Sequence, residues 1–226
     1  MPSPLKPSPA GRQETETARD RILDAAEALF AKHGYYAATM REIARKAGVP
    51  TSLITHHFGT KDDLFSEVIH RRVPDQIAAM HRELADAKVT SNGKPIRVEA
   101  LIHAYIGPML VRSASGDAGW KNYARLLGLA MHGRQYAQFL QPMIGYYDPI
   151  TREIMDELRL IYPHADAKRM HWVMYFLQSA ILHVLVEAGM VDRQSGGLCS
   201  SSDLLTILDE MVAFYAAGFE ARLKQA

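Results

Sequence analysis

A single cysteine, Cys199, stands among 226 residues, so an internal disulfide and a cysteine-rich zinc site are both excluded and a reducing cytoplasm is the expected compartment. Charge of one sign is also lacking. The 26 Lys and Arg against 25 Asp and Glu leave a formal net charge of +1, which excludes a chain that coats nucleic acid indiscriminately but permits a local basic surface. No stretch approaches the roughly 18 consecutive apolar residues of a membrane span, because charges and histidines interrupt every candidate, so no membrane partner is expected. The first 16 residues hold four prolines and neither hydrophobic periodicity nor the apolar core of a signal peptide, and they read as a flexible tail.

Catalytic signatures are missing too. There is no nucleophile elbow, no phosphate-cradling glycine loop and no zincin helix, and Gly116-Asp117-Ala118-Gly119 is too short to cradle phosphate. Cys199 has no nearer cation than Arg193. His103, His132, His164, His171 and His183 lack the i, i+4 spacing with acidic support of a helical zinc site. The expectation is a protein that is not an enzyme, with no cofactor and no metal.

What remains is helix after helix, with no alternating strand pattern and no internal repeat, which makes the fold class all-α. Between Thr17 and Lys32, Ile22, Leu23, Ala25, Ala26, Leu29 and Phe30 recur at three and four residue spacings, and Gly34 ends this helix. Thr39 with Glu42 three positions on forms a capping box for a short second helix that Gly48 closes. Pro50 suits the first turn of a third, anchored by Leu53, Ile54 and Phe58 and ended by Gly59. Thr60 caps a fourth, and Pro74 either kinks or restarts it. Further segments are expected over 75–88, 97–112 with a kink at Pro108, 117–132, 136–145, 149–161, 166–188 and 203–223. The expected organisation is a tail over 1–16, a helix-turn-helix domain over 17–72 and a helical ligand-binding and dimerisation domain over 73–226.

The second and third helices are short, share a tight turn and follow a longer helix that can cover them. That is helix-turn-helix anatomy, in which the second of the pair lies in the DNA major groove. Thr51, Ser52, Thr55 and His56 offer small hydroxyls and an imidazole on the outer side, suited to bases and phosphates. Arg41, Arg45, Lys46 and Lys61 against Glu42 supply local positive charge for the phosphate backbone.

Thr39-Met40-Arg41-Glu42-Ile43-Ala44, then Ala47-Gly48-Val49, His57-Phe58, Lys61 and Leu64 resemble the signature of the TetR family of regulators, over about residues 17–69. The resemblance implies a three-helix DNA-binding domain, a homodimer, a pseudopalindromic double-stranded operator and a small-molecule effector. It adds Thr39, Arg41, Pro50 and Lys61 to the DNA-contacting set, and it places His57 against the domain. The chain departs from the pattern at Pro50, where most relatives carry Ser or Thr, and at Thr55, where many carry Tyr. Arg125-Leu126-Leu127-Gly128-Leu129-Ala130, Phe139-Leu140 and His171-Trp172 with Phe176 are similar to a branch that includes fatty-acid-responsive repressors.

An apolar ligand site is expected from Met109, Leu126, Met131, Phe139, Met143 and Tyr146, with Tyr147 beside them and His103 or His132 as a polar orienter. The alternative for each is plain core packing. The last two long helices are apolar on more than one side, which points to a two-fold four-helix interface through Met174, Ile181, Leu185, Leu208, Met211 and Tyr215. The function expected is a repressor released from DNA by a small, largely apolar ligand. An activator of the same fold, or a helical protein acting through protein contacts, is the alternative.

Overall fold

The computed structural model describes residues 17–132, 136–186 and 189–224; the side chains of His132, Gln141 and Pro142 are outside that description, as is the tail expected over 1–16. Among the described residues there are helices and turns and no strand.

Four helices make the N-terminal part: α1 (Ala18–Ala37), α2 (Met40–Ala47), α3 (Thr51–Phe58) and α4 (Lys61–His70). Three of them start from the same local device. Thr17, Thr39 and Thr60 each accept a hydrogen bond from the backbone N–H three residues on, while Asp20, Glu42 and Asp63 reach back to the threonine N–H. Each box satisfies two of the donors that a helix start leaves open. Gly34 adopts φ 76°, ψ 168° inside the span of α1, so the regular helix stops there, as expected. Ile22, Ala26, Phe30, Ile43, Ile54, Leu64 and Phe65 interlock as the core of this part.

The chain breaks after α4 and restarts at α5 (Val73–Thr90), with Pro74 in its first turn where a missing N–H is harmless. There follow α6 (Val98–Ala114), α7 (Ala118–His132), α8 (Ala137–Ile161), α9 (Ala167–Val186), α10 (Met190–Gln194) and α11 (Leu204–Leu223). The five-residue α10 was not anticipated. The segments expected over 136–145 and 149–161 are one helix, α8, running through Pro149. An interior proline costs about 3 kcal/mol, and burial of Phe139, Leu140, Met143, Ile150, Ile154, Met155 and Leu158 along the helix outweighs that.

In this C-terminal part α11 packs on α6 and α9, α5 on α6, and α7 on α9. The α7–α9 approach is close because Gly128 has no side chain; a Cβ there would lie 2.6 Å from Val186 Cγ1.

The two parts are joined by more than the chain. Tyr123 in α7 is fully buried and donates its hydroxyl to the Ile69 carbonyl of α4 at 2.9 Å. His70 Nε2 donates to the Phe139 carbonyl at 3.1 Å. Phe65 packs edge-on against Phe139 with ring centroids 4.9 Å apart. Glu27 of α1, 1% exposed, accepts from Arg71 Nε (3.2 Å) and from Arg72 Nε (2.9 Å), and Arg72 lies over the Trp120 ring of α7 at 5.1 Å.

Candidate nucleic-acid interface and effector cavity

α2 ends in a left-handed Gly48 (φ 67°, ψ 36°), whose N–H donates to the Arg45 carbonyl while the Val49 N–H donates to that of Ala44. Both bonds close orphan carbonyls and turn the chain sharply into α3. Ile54 and Phe58 hold α3 down on the core. Thr51, Ser52, Thr55, His56 and His57 are exposed, so α3 presents an unobstructed row of hydroxyls and imidazoles to solvent. His57, expected against the domain, instead stands beside His56 with ring centroids 5.6 Å apart; Phe58 fills the inward position.

Arg41, Arg45 and Lys46 are exposed on α2 next to this row. Thr39 is exposed, but its hydroxyl is engaged: it donates to Glu42 Oε2 at 2.8 Å and accepts from the Glu42 N–H at 3.2 Å. Glu42 is held below the usual carboxylate range by the Thr39 hydroxyl and N–H. Pro50 is the N-cap of α3 without a side-chain cap, and its carbonyl accepts from the Leu53 N–H at 3.0 Å. It has no N–H to offer a phosphate.

Lys61 opens α4 half-buried, its ammonium 4.4 Å from the centroid of the Tyr35 ring and 3.5 Å from the Tyr36 carbonyl. Burial lowers its pKa. Tyr35 in turn donates its hydroxyl to Asp62, and burial together with that bond pushes the phenol up to about 12. Sequence reasoning missed the contact of Tyr35 with Lys61, since 26 positions separate the two. Its signal is an aromatic pair, Tyr35-Tyr36, directly after the helix-ending Gly34.

A cavity of about 410 Å³ opens between α5, α6, α7, α8 and α9. Met109, Met131, Met143 and Tyr147 line it as expected from their apolar, adaptable character. His103, Leu126, Phe139 and Tyr146 do not. His103 turns to the other side of α6, its Nδ1 3.5 Å from Glu83. Leu126 and Phe139 are core residues packed toward the N-terminal part, and Tyr146 is exposed beside the His70 ring. Helical periodicity marks apolar residues but does not distinguish the several sides on which a helix in a bundle is covered. The side chain of His132 lies outside the described residues.

The polar groups of the cavity wall were not anticipated. Gln76 of α5 is 3% exposed and its Oε1 has no hydrogen-bond partner. Gln178 of α9 donates to the Tyr105 hydroxyl at 2.7 Å, and both line the cavity with Gln76. Gln76 sits at the buried i+3 and i−4 positions from Val73 and Met80, and a polar residue on an apolar face was the available signal.

Of the residues expected at a subunit interface, Met174, Ile181, Leu208 and Met211 are buried in the subunit's own core, and Leu185 and Tyr215 are half-buried. The same helices expose Trp172 (51%), Tyr175, Phe176 (54%), Leu205 and Phe214 (73%). Periodicity found the apolar stripes of α9 and α11 and assigned the inner one to the outside.

Residues 22–68 match the family model described as bacterial regulatory proteins, tetR family, and residues 103–218 match the one described as tetracyclin repressor-like, C-terminal domain. The HTH-type transcriptional regulator Mb3439c of Mycobacterium bovis is 39% identical over 179 residues, covering 71% of this chain and 91% of that protein. The HTH-type transcriptional regulator BetI of Agrobacterium fabrum is 26% identical over 151 residues, covering 67% of this chain and 68% of that one. Among solved structures, the transcriptional regulator FadR from Bacillus subtilis in complex with stearoyl-CoA shares the fold, with a TM-score of 0.64 and 19% identity over 88% of this chain and 97% of that one. With its short α2–turn–α3 unit, its helical C-terminal part and both family models matched, the chain belongs to the TetR family of helix-turn-helix transcriptional regulators.

Proposed function

We propose that this DNA-binding regulator grips a pseudopalindromic operator as a homodimer and releases it when a small molecule fills the cavity between α5 and α9. Residues 17–72 are the reading head in this proposal, and 73–226 hold the effector site and the subunit contact. The observation that carries it is the exposed row Thr51, Ser52, Thr55, His56 and His57 on a helix anchored by buried Ile54 and Phe58. Hydroxyls and imidazoles on a short, uncovered helix reach base edges in the major groove, while Arg41, Arg45, Lys46 and Lys61 neutralise phosphates on either side.

The exposed aromatic face of α9 and α11 supports the dimer. Trp172, Tyr175, Phe176 and Phe214 form an apolar surface of the kind that a second copy covers in a two-fold four-helix contact. Repression follows from occlusion of promoter DNA by the bound dimer. Selection of duplexes from a random-sequence pool by the purified protein tests the reading. An enriched inverted repeat bound far more tightly than bulk DNA is expected, and recovery of no common sequence overturns it.

A further inference from the structure

The outer side of α3 lacks the groups that fix a base by two hydrogen bonds at once. Residues 49–60 hold no arginine, lysine, asparagine or glutamine, so this helix has neither the fork that selects guanine nor the amide that selects adenine in the major groove. A hydroxyl or an imidazole makes one hydrogen bond to a base edge, and more than one edge satisfies it. The remaining mark by which a base is told apart there is apolar: the C5-methyl group that thymine alone carries among the four bases.

Thr55 offers the matching group. It is exposed, one turn after exposed Thr51 and with exposed Ser52 alongside, and buried Ile54 and Phe58 fix the rotation of the helix that carries all three. Its hydroxyl is directed at the Thr51 carbonyl, 3.4 Å away, the back-bonded arrangement open to a threonine inside a helix. The methyl diverges from that hydroxyl at Cβ, so the methyl is what Thr55 presents outward. Thr51, Ser52 and Thr55 are all short, and nothing longer among them holds the α3 backbone away from the floor of the groove. We infer that Thr55 is a specificity-determining residue, and that each operator half-site carries a thymine whose C5-methyl packs on the Thr55 methyl. The inference rests on the reading of α3 as the helix that enters the major groove.

A duplex enriched from the random-sequence pool by the full-length protein tests this after resynthesis with deoxyuridine in place of thymidine, one position at a time in both half-sites. Deoxyuridine pairs as thymidine does and lacks only the methyl. Fluorescence anisotropy at one salt concentration should reveal a position where the replacement weakens binding about fourfold per half-site, the ratio that burial of one methyl group gives. Thr55→Val keeps the methyl and drops the hydroxyl, and it should retain both the affinity and this sensitivity. Thr55→Ser keeps the hydroxyl and drops the methyl, so it should weaken the thymidine duplex by the same factor and lose the sensitivity at that position. Half-sites without a common thymine, indifference to deoxyuridine throughout, or a sensitivity undiminished in Thr55→Ser would each overturn the inference and leave α3 as the reading helix. A pool that yields no common sequence would overturn that reading as well.

Discussion

Replacing Glu27 with glutamine should destabilise the protein far more than a surface change of the same size. The Glu27 carboxylate is 1% exposed and accepts four hydrogen bonds from Arg71 and Arg72 at 2.9–3.2 Å. The two arginine side chains are only 14% and 18% exposed, so neutralising the acid leaves both cations short of water and without the counter-charge they share. Breaking a buried pair from one side costs about 3–5 kcal/mol. Asp24 still engages Arg71 at 2.6 Å, and the arginines keep some water, so the lower end, about 3 kcal/mol, applies here. With a urea slope of about 3 kcal/mol per molar, the midpoint should fall by about 1 M, measured by circular dichroism at one protein concentration. The double variant Glu27→Gln with Arg72→Met should recover at least about 1 kcal/mol relative to additivity, since it removes one stranded charge. A midpoint shift below about 0.2 M would refute the reasoning, because it would mean that water already solvates this cluster.

At the reading head, His56→Ala and Thr51→Ala should weaken the selected operator more than bulk DNA, whereas Lys61→Ala should weaken both and reduce the salt slope by about 1; fluorescence anisotropy at several salt concentrations separates the two patterns. Acid should loosen the head. Asp20, Glu42 and Asp63 are all held below their ordinary values by threonine hydroxyl and N–H donors, so their stabilisation is complete above the unfolded values, roughly pH 4, and is lost as pH falls through the lower folded ones. The Glu42→Gln variant should show a shallower fall of the thermal midpoint between pH 5 and 3, and an unchanged slope would rule out this source. Phe214→Glu should shift the protein to monomers in sedimentation while its helical content stays intact; persistent dimers would place the contact elsewhere.

Local devices were the legible part of the molecule. The capping pair Thr39–Glu42 lies three residues apart, and the turn at Gly48 needs only its own neighbours, so residue order alone predicts both. Features made by competition between distant parts were not. α8 runs through Pro149 because burial against other helices overrides a local preference. Met174 and Leu208 were recognised as apolar helix positions, but which side of α9 turns inward depends on where α7 and α11 lie, and which side of α11 on where α6 and α9 lie. The Glu27–Arg71–Arg72 cluster spans 44 and 45 positions, and no pattern along the chain joins a glutamate on an apolar face to arginines at a helix junction. Gln76 was legible in principle, as a polar residue in a buried row, but its unpaired oxygen exists only once α5 is packed.

Trp120 has two guanidinium groups near its ring, Arg72 at 5.1 Å and Arg112 at 4.4 Å, where α7 meets the N-terminal part. The chain holds one other tryptophan, Trp172, far along on the exposed face of α9. A Trp172→Phe protein therefore emits from the seam alone, and indole emission responds to the approach and withdrawal of nearby cations. The molecule carries its own optical gauge of the head's position, readable in a stopped-flow cell without any attached dye.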